Sequence, residues 1–375
     1  MMFLLAHRNL LHDKVRLLVT LTGVVFAVML IVLEMALFFG FTRSTSSLID
    51  KSNADLWVTS ANIPYLELGV PFNESKFYEV KATPGVAEAV RYVLHSSRWS
   101  RHDGSQELIQ IVGVDLSNNM GRPWNVVEGS VEDLRLPHSV IVDELYKKKL
   151  GITHLGEMVE INRHRARVVA FTHGIHAFGP DPFVFTSFEN ALDYAALRED
   201  QTTYVLVKLE PGANLEEVRQ NILARTRNVN VFTSPEFSHI TQMYWTLTTG
   251  AGIAVLFAAL LGVIVGFVVV AQTIYATTMD HLKEFGTLKA MGAPNSYVYK
   301  VILTQAAISA LVGYGVGAVI SIFILHLVEP TGAPVVMNGW IAAGTFFLTL
   351  FMCAGAALIS INKVTRLDPA IVFKG

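Results

Sequence analysis

Glu34 is the one carboxylate set well inside an apolar run of this 375-residue chain. An ionised group at such depth costs on the order of 2–3 kcal/mol unless it is paired or near water, so it is a functional candidate by default. Met29, Met35 and Phe38 lie close to it in sequence, and a carboxylate with methionine neighbours has the donor types to ligate iron. The competing reading is a protonated glutamate, or one reaching toward the membrane surface. His164, His173 and His176, with Asp181 close behind, form a second candidate group. His-x-x-His spacing is compatible with a metal, but Gly174, Gly179, Pro180 and Pro182 around it describe a loop. That favours a turn that meets a partner or shapes an exit path, with no metal site expected.

A third group sits at residues 279–294, Met-Asp-His-Leu-Lys-Glu-Phe-Gly-Thr-Leu-Lys-Ala-Met-Gly-Ala-Pro. Leu282, Phe285, Leu288 and Met291 recur every three residues, which makes an apolar stripe on a short helix. Left exposed and rimmed by charge, such a stripe is a docking surface. Buried against its own neighbours, it is only packing. Gly292 and Pro294 end the helix and turn the chain.

Other chemistry is missing from the sequence. No Gly-x-x-x-x-Gly-Lys-Ser/Thr loop is present to cradle a nucleotide phosphate, so any ATP and Mg would be bound by another chain, and no cofactor is expected on this one. No Ser/His/Asp arrangement suggests a catalytic residue, and the one cysteine, Cys353, falls in an apolar stretch, which excludes a disulfide framework. A net charge of −2 offers nothing to nucleic acid.

The elements that must carry these residues follow from hydrophobic patterning. With 52% hydrophobic and 16% charged residues, the charges gather between Arg43 and Glu236. Four apolar stretches, at 17–41, 247–278, 299–328 and 339–362, each exceed the roughly 20 residues that cross a bilayer. The expected fold is therefore an α-helical membrane protein with four spans in a 1 + 3 arrangement and a mixed α+β extracytoplasmic domain at 42–246. The first stretch contains Glu34 and ends in Phe38-Phe39-Gly40-Phe41, so it reads as a retained helix and not a cleaved signal. Residues 1–16 suit an interfacial helix, 279–298 an inner loop, 329–338 an outer turn and 363–375 a tail. Lys and Arg flank the stretches at Arg8, Lys14, Arg16, Lys283, Lys289, Lys300, Lys363, Arg366 and Lys374, while the turn after the third has none. The positive-inside rule then puts both termini in the cytoplasm.

Within 42–246, strands are expected at 55–60, 108–114, 139–142, 158–161, 167–171 and 204–209, and helices at 75–82, 143–150, 187–196 and 215–225. Two subdomains are expected, one built from both ends of the insert and one from its middle. The pairs Gly262/Gly266 and Gly313/Gly317 are small faces that suit dense packing of the second to fourth spans.

The stretch Leu282-Lys-Glu-Phe-Gly-Thr-Leu-Lys-Ala-Met-Gly-Ala293 resembles the signature of MacB/FtsX-type ABC transporter permeases, and Arg366-Leu-Asp-Pro-Ala370 resembles their ending. Residues 14–23 and 54–58 look closest to the DevC-like permeases. The resemblance implies a homodimer in the bacterial inner membrane, bound to a separate ABC ATPase whose hydrolysis is coupled to extrusion of an amphiphilic or lipid-like substrate by mechanotransmission. It implies that Leu282, Glu284, Phe285, Gly286, Leu288, Lys289, Met291 and Gly292 contact the ATPase, although Phe285 and Thr287 stand where Ile is common. It also suggests a periplasmic adaptor (membrane fusion protein) with an outer-membrane channel as further partners. Haem is an alternative substrate, with Glu34, Met29, Met35 and Phe38 as candidate contacts. Non-transport control of a cell-wall hydrolase is the alternative function.

Overall fold

The computed structural model describes residues 14–177, 179, 181–328 and 334–365. Almost all of the expected interfacial helix, residues 366–375 of the tail and residues 329–333 of the outer turn lie outside them. The described chain forms two compact units. Residues through Gly40, from Ile253 to Val328 and from Val335 onward make a helical unit, and Phe41–Gly252 make up nearly all of a strand-rich one.

The strand-rich unit is built on one sheet in the order β12-β1-β11-β3-β4-β9-β6-β8-β5, with β7 pairing β3 and β8. Its members are β1 (Leu56–Ser60), β3 (Val86–Ser100), β4 (Gln106–Val114), β5 (Val126–Glu128), β6 (Ser139–Asp143), β7 (Met158–Ile161), β8 (His164–Thr172), β9 (Phe183–Ser187), β11 (Tyr204–Leu209) and β12 (Val229–Thr233). The short strands β2 (Phe72–Asn73) and β10 (Gln201–Thr202) pair separately. β4 runs parallel to β9, and β6 parallel to β8; the other pairings are antiparallel.

Both faces of this sheet are covered. On one face Trp57, Tyr92, Leu94, Val112, Ile141, Phe185 and Leu206 belong to a single core. On the other face there are two cores. Leu56, Val58, Val205, Val207 and Val231 pack with Phe77, Val80, Val218 and Ile222, while Val93, Ile109, Ile111, Val140, Val142 and Val184 pack with Phe188 and Ala191. The helices supplying those partners are α1 of this unit's count, Ser75–Lys81, then Phe188–Tyr194 and Leu215–Arg225. Strands from the two ends of the insert and strands from its middle therefore have separate cores on one face and a common core on the other, within one hydrogen-bonded network.

Leu56–Thr59, Phe183–Thr186 and Tyr204–Val207 are buried at every position and lack the alternation that marks a half-exposed strand; the first and third fall within expected strands, whereas the second was not expected. β3 is the longest, at 15 residues, and mixes Glu88, Arg91 and Ser96 among its apolar positions. It was not expected, nor were β9 and β12. A further helix, Ser234–Met243, was also unexpected, yet its start carries a capping box: the Thr233 side chain accepts from Glu236 N, and the Glu236 side chain accepts from Thr233 N.

The helical unit holds the spans Ala251–Asp280, Asn295–Val328 and Gly339–Thr365, together with the membrane part of Lys14–Asp50. All four helices are long and apolar enough to cross a membrane. The first continues to Asp50 instead of ending at 41, through Thr-Arg-Ser-Thr-Ser-Ser. Hydroxyls make this possible: Ser44 donates to Phe41 O (2.8 Å), Thr45 to Thr42 O (2.7 Å) and Ser47 to Ser44 O (3.2 Å), so the polar side chains are satisfied by their own helix.

The two glycine pairs both serve the first span, which corrects the expectation that they pack the later three together. A Cβ on Gly313 would stand 2.5 Å from Val24 Cγ1, and one on Gly317 2.8 Å from Val28 Cγ1. A Cβ on Gly266 would meet Ile31 and Ala27 at 3.2 and 3.3 Å, and one on Gly262 would meet Glu34 Cγ at 3.3 Å. The same seam continues through Gly23 against Thr273 and a 2.9 Å hydrogen bond between Thr20 and Thr277. The first span is thus held on two sides by glycine-lined surfaces that let backbones approach closely.

Candidate functional site

The short helix Leu282–Ala290 is the segment in which the sequence places a docking stripe. Phe285 N–H donates to His281 O (3.1 Å), so the helical register is carried on from the preceding span, which ends at Asp280. Met291 N–H donates to Thr287 O (3.0 Å), and Gly292 then takes φ +92°, a left-handed conformation that glycine adopts without strain and that stops the helix.

The stripe does not stay together. Phe285 is 2% exposed and belongs to the core of the helical unit, among Val24, Ile274, Val298, Ile302 and Ala357, with Leu282 packed against the same cluster. Its ring is therefore buried in this arrangement, whereas the resemblance implied a contact with the ATPase. The physical reason is spacing: residues three apart on a helix drift around it, and the helices on either side of this segment shield the first two stripe positions. Met291 is 72% exposed. Glu284 and Thr287 share its face at three- and four-residue spacing and are also exposed. Glu284 lies in the first turn, where an acidic group complements the helix dipole, and its Oε1 stands 3.1 Å from His281 Nδ1. Gly286 is half-buried and Gly292 exposed, while the side chains of Leu288 and Lys289 lie outside the described residues. Among the described side chains, the outward face of this segment is thus Glu284, Thr287 and Met291. The three-residue repeat concealed Thr287, because only the apolar positions stand out in it.

Glu34 is half-buried and lies over the notch left by Gly262. At 3.6 residues per turn, Phe38 falls about 40° from it around the helix, Met35 about 100° and Met29 about 140°. Phe38 therefore shares its face, whereas the two methionines do not. Phe38 meets Phe39 edge-on at 5.5 Å, and Phe39 meets Trp340 at 4.6 Å. No iron-ligating pair is assembled around Glu34 among the described residues.

The histidines are dispersed. His164 begins β8 and lies beside the Tyr194 ring, while His173 follows the end of that strand and pairs with Glu144 at 2.6 Å. Beside it, Asp143 is buried and braces the loop, accepting from Leu145 N, Thr172 Oγ1 and Ile175 N. Burial raises the Asp143 carboxyl above the usual aspartate range, and these hydrogen bonds oppose the rise. Among the described residues, no group of three or more His, Cys, Asp and Glu side chains is placed to hold a metal ion.

Comparison with known proteins places this geometry in context. Residues 17–225 match the MacB-like periplasmic core domain, and residues 231–369 match the FtsX-like permease C-terminal domain. An uncharacterised ABC transporter permease of Mycobacterium tuberculosis is 26% identical over 378 residues, covering 100% of both chains. The macrolide export ATP-binding/permease protein MacB of Escherichia coli is 21% identical over 304 residues, covering 77% of this chain and 47% of that one. The periplasmic region of MacB from Actinobacillus actinomycetemcomitans aligns with 52% of this chain and 96% of its own, at 11% identity and a TM-score of 0.39. With the two matched domains spanning nearly the whole sequence, four membrane-crossing helices and a mixed α/β insert after the first, the chain belongs to the MacB/FtsX family of ABC transporter permeases.

Proposed function

We propose that this chain is the membrane subunit of an ABC exporter, working as a homodimer with a separate ATPase that binds ATP and Mg. Hydrolysis on that partner moves the spans and the strand-rich unit, and an amphiphilic or lipid-like substrate is extruded from the outer leaflet or the space beside it. In this reading the protein lies in a bacterial inner membrane with both termini and the helix Leu282–Ala290 on the ATPase side, in keeping with Lys283, Lys289 and Lys300 there.

The observation that carries the reading is the division of labour on that helix. Glu284, Thr287 and Met291 are exposed, while Phe285 on the other side is locked among residues from all four long helices. A load on the outward face is thereby delivered into the core of the helical unit through one buried ring. Close-packed interiors transmit strain and do not absorb it.

The test is a double substitution on the outward face, Glu284→Ala with Met291→Ala, followed by co-purification with the cognate ATPase. Truncating central contacts of an interface costs about 2 kcal/mol or more, so binding is expected to weaken by more than about tenfold while membrane insertion is unchanged. Undiminished co-purification would remove this helix as the coupling surface.

A further inference from the structure

Tyr65, Glu67, Tyr244 and Trp245 form a compact cluster within the strand-rich unit. Tyr65 stacks on Tyr244 with ring centroids 4.0 Å apart and meets Trp245 edge-on at 5.6 Å. Trp245 Nε1 donates to Glu67 Oε2 at 3.0 Å, and Tyr204 Oη donates to the carbonyl of Leu66. These contacts pin the loop 61–70 to the π-helical turn Tyr244–Thr248.

Around that cluster the apolar side chains face outward. Leu68 and Val70 are each 41% exposed, Met243 is 41% exposed and Leu247 51%. The loop is ordered with this face out: Gly69, between Leu68 and Val70, is turned inward so tightly that a Cβ would collide with Leu94 O. Residues 61–70 and 243–250 contain no Lys, Arg or Asp, and their one charged group, Glu67, is engaged by Trp245. An exposed apolar patch without charge needs an apolar partner.

Chain connectivity says which partner. Thr248 stands three residues before Ala251, where a membrane-crossing helix begins, so the two are at most about 11 Å apart even with the link fully extended. The turn therefore stands beside the first residues of that membrane-crossing helix. Tyrosine and tryptophan favour the bilayer boundary, where one end of the ring system is apolar and the other wet.

We propose that Leu68, Val70, Met243 and Leu247 form a lipid-contact surface that meets the headgroup and acyl boundary of the leaflet that the helix Ala251–Asp280 enters. Tyr65, Tyr244 and Trp245 hold this surface in shape. Because the patch has no basic residue, its contact is with the apolar boundary and is indifferent to lipid charge.

The test uses the full chain carrying Cys353→Ala, with a nitroxide on Leu68→Cys or Leu247→Cys, in phosphatidylcholine nanodiscs. Leu108→Cys, on the exposed side of β4, serves as the reference. Collision with oxygen relative to a water-soluble nickel chelate is expected to be several-fold higher at both patch positions than at Leu108, and unchanged when half of the lipid is phosphatidylglycerol. Water-like ratios at both positions overturn the proposal, as does an oxygen preference seen only with the anionic lipid. Spin–spin broadening that disappears on dilution with unlabelled chain would mean that a second copy covers the patch, and also overturns it. Should labelling perturb the fold, brominated phosphatidylcholine offers a second reading on the unlabelled chain. Trp245→Phe is then expected to remove part of the quenchable tryptophan emission, and an unchanged quenchable fraction counts against the surface.

Discussion

In the strand-rich unit the deepest positions go to large rings: Trp57 meets Tyr92, Tyr204 and Phe237 with centroids 5.5, 5.6 and 5.6 Å away. In the helical unit the closest approaches go to residues with almost no side chain, Gly313 and Gly317 against Val24 and Val28, and Gly262 and Gly266 against Glu34, Leu30, Ile31 and Ala27. The contrast reflects the solvent that each unit folds in. Water rewards every square ångström of apolar area removed from it, about 25 cal/mol each, so large rings are the efficient core material. Lipid is as apolar as the side chains, so helices there gain from contact density, and contact density demands small residues. Among the described residues Phe285 departs from this on the helical side, a large ring fully buried in that unit, and it sits on the short helix Leu282–Ala290.

This contrast can be broken at either end. Trp57→Ala should have the largest effect, destabilising the strand-rich unit by about 3–5 kcal/mol, because the three surrounding rings cannot collapse into the space. Thermal unfolding of the full chain, followed by near-ultraviolet circular dichroism, would show it. A negligible shift would mean that the aromatic cluster does not govern that unit. Next, Gly313→Leu inverts the experiment by adding volume where Val24 leaves none. A cost of about 1–3 kcal/mol is expected, read as a lower midpoint of unfolding in detergent; an unchanged midpoint would show that the seam with the first span is loose.

The smallest effect concerns pH. Burial pushes the Glu67 carboxyl up to about 7 from an ordinary 4.5, partly offset by the hydrogen bond from Trp245. Between those values the folded chain holds a proton that the unfolded chain has released, so this group's stabilising contribution is full at lower pH and is lost as pH rises through the window. Glu67→Gln keeps an acceptor for Trp245 and should flatten the dependence of unfolding midpoint on pH between 4.5 and about 7. An unaltered slope would detach Glu67 from the cluster's stability.

The spans were legible because membrane crossing leaves a one-dimensional record, about 20 apolar residues in a row, and no tertiary contact is needed to read it. The helix Leu215–Arg225 was legible for a similar reason, with Asn214 capping Glu216 N and Glu217 N at its start. β9 was not, since its first four residues are buried, which erases alternation, and a short apolar run reads equally well as helix or strand. At the candidate site, the sequence marked a short helix that the structure contains, but not which of its residues are exposed. Leu282, Phe285 and Met291 look equivalent by spacing, yet two of them are covered by neighbouring helices and the third is open.

The amino-acid sequence by itself thus determined the class of the protein, the number of spans, the position of the insert and the segment that turns outward between the second and third spans. These are properties of composition and local periodicity, set by the cost of placing polar groups in lipid. Only the tertiary structure decided that both glycine pairs grip the first span, that Phe285 is buried while Glu284, Thr287 and Met291 are exposed, and that Glu67 meets Trp245 across a separation of 178 residues, with Tyr65 stacked on Tyr244 beside them. Such pairings depend on which surfaces fit at close range, and nothing local in the chain specifies that fit.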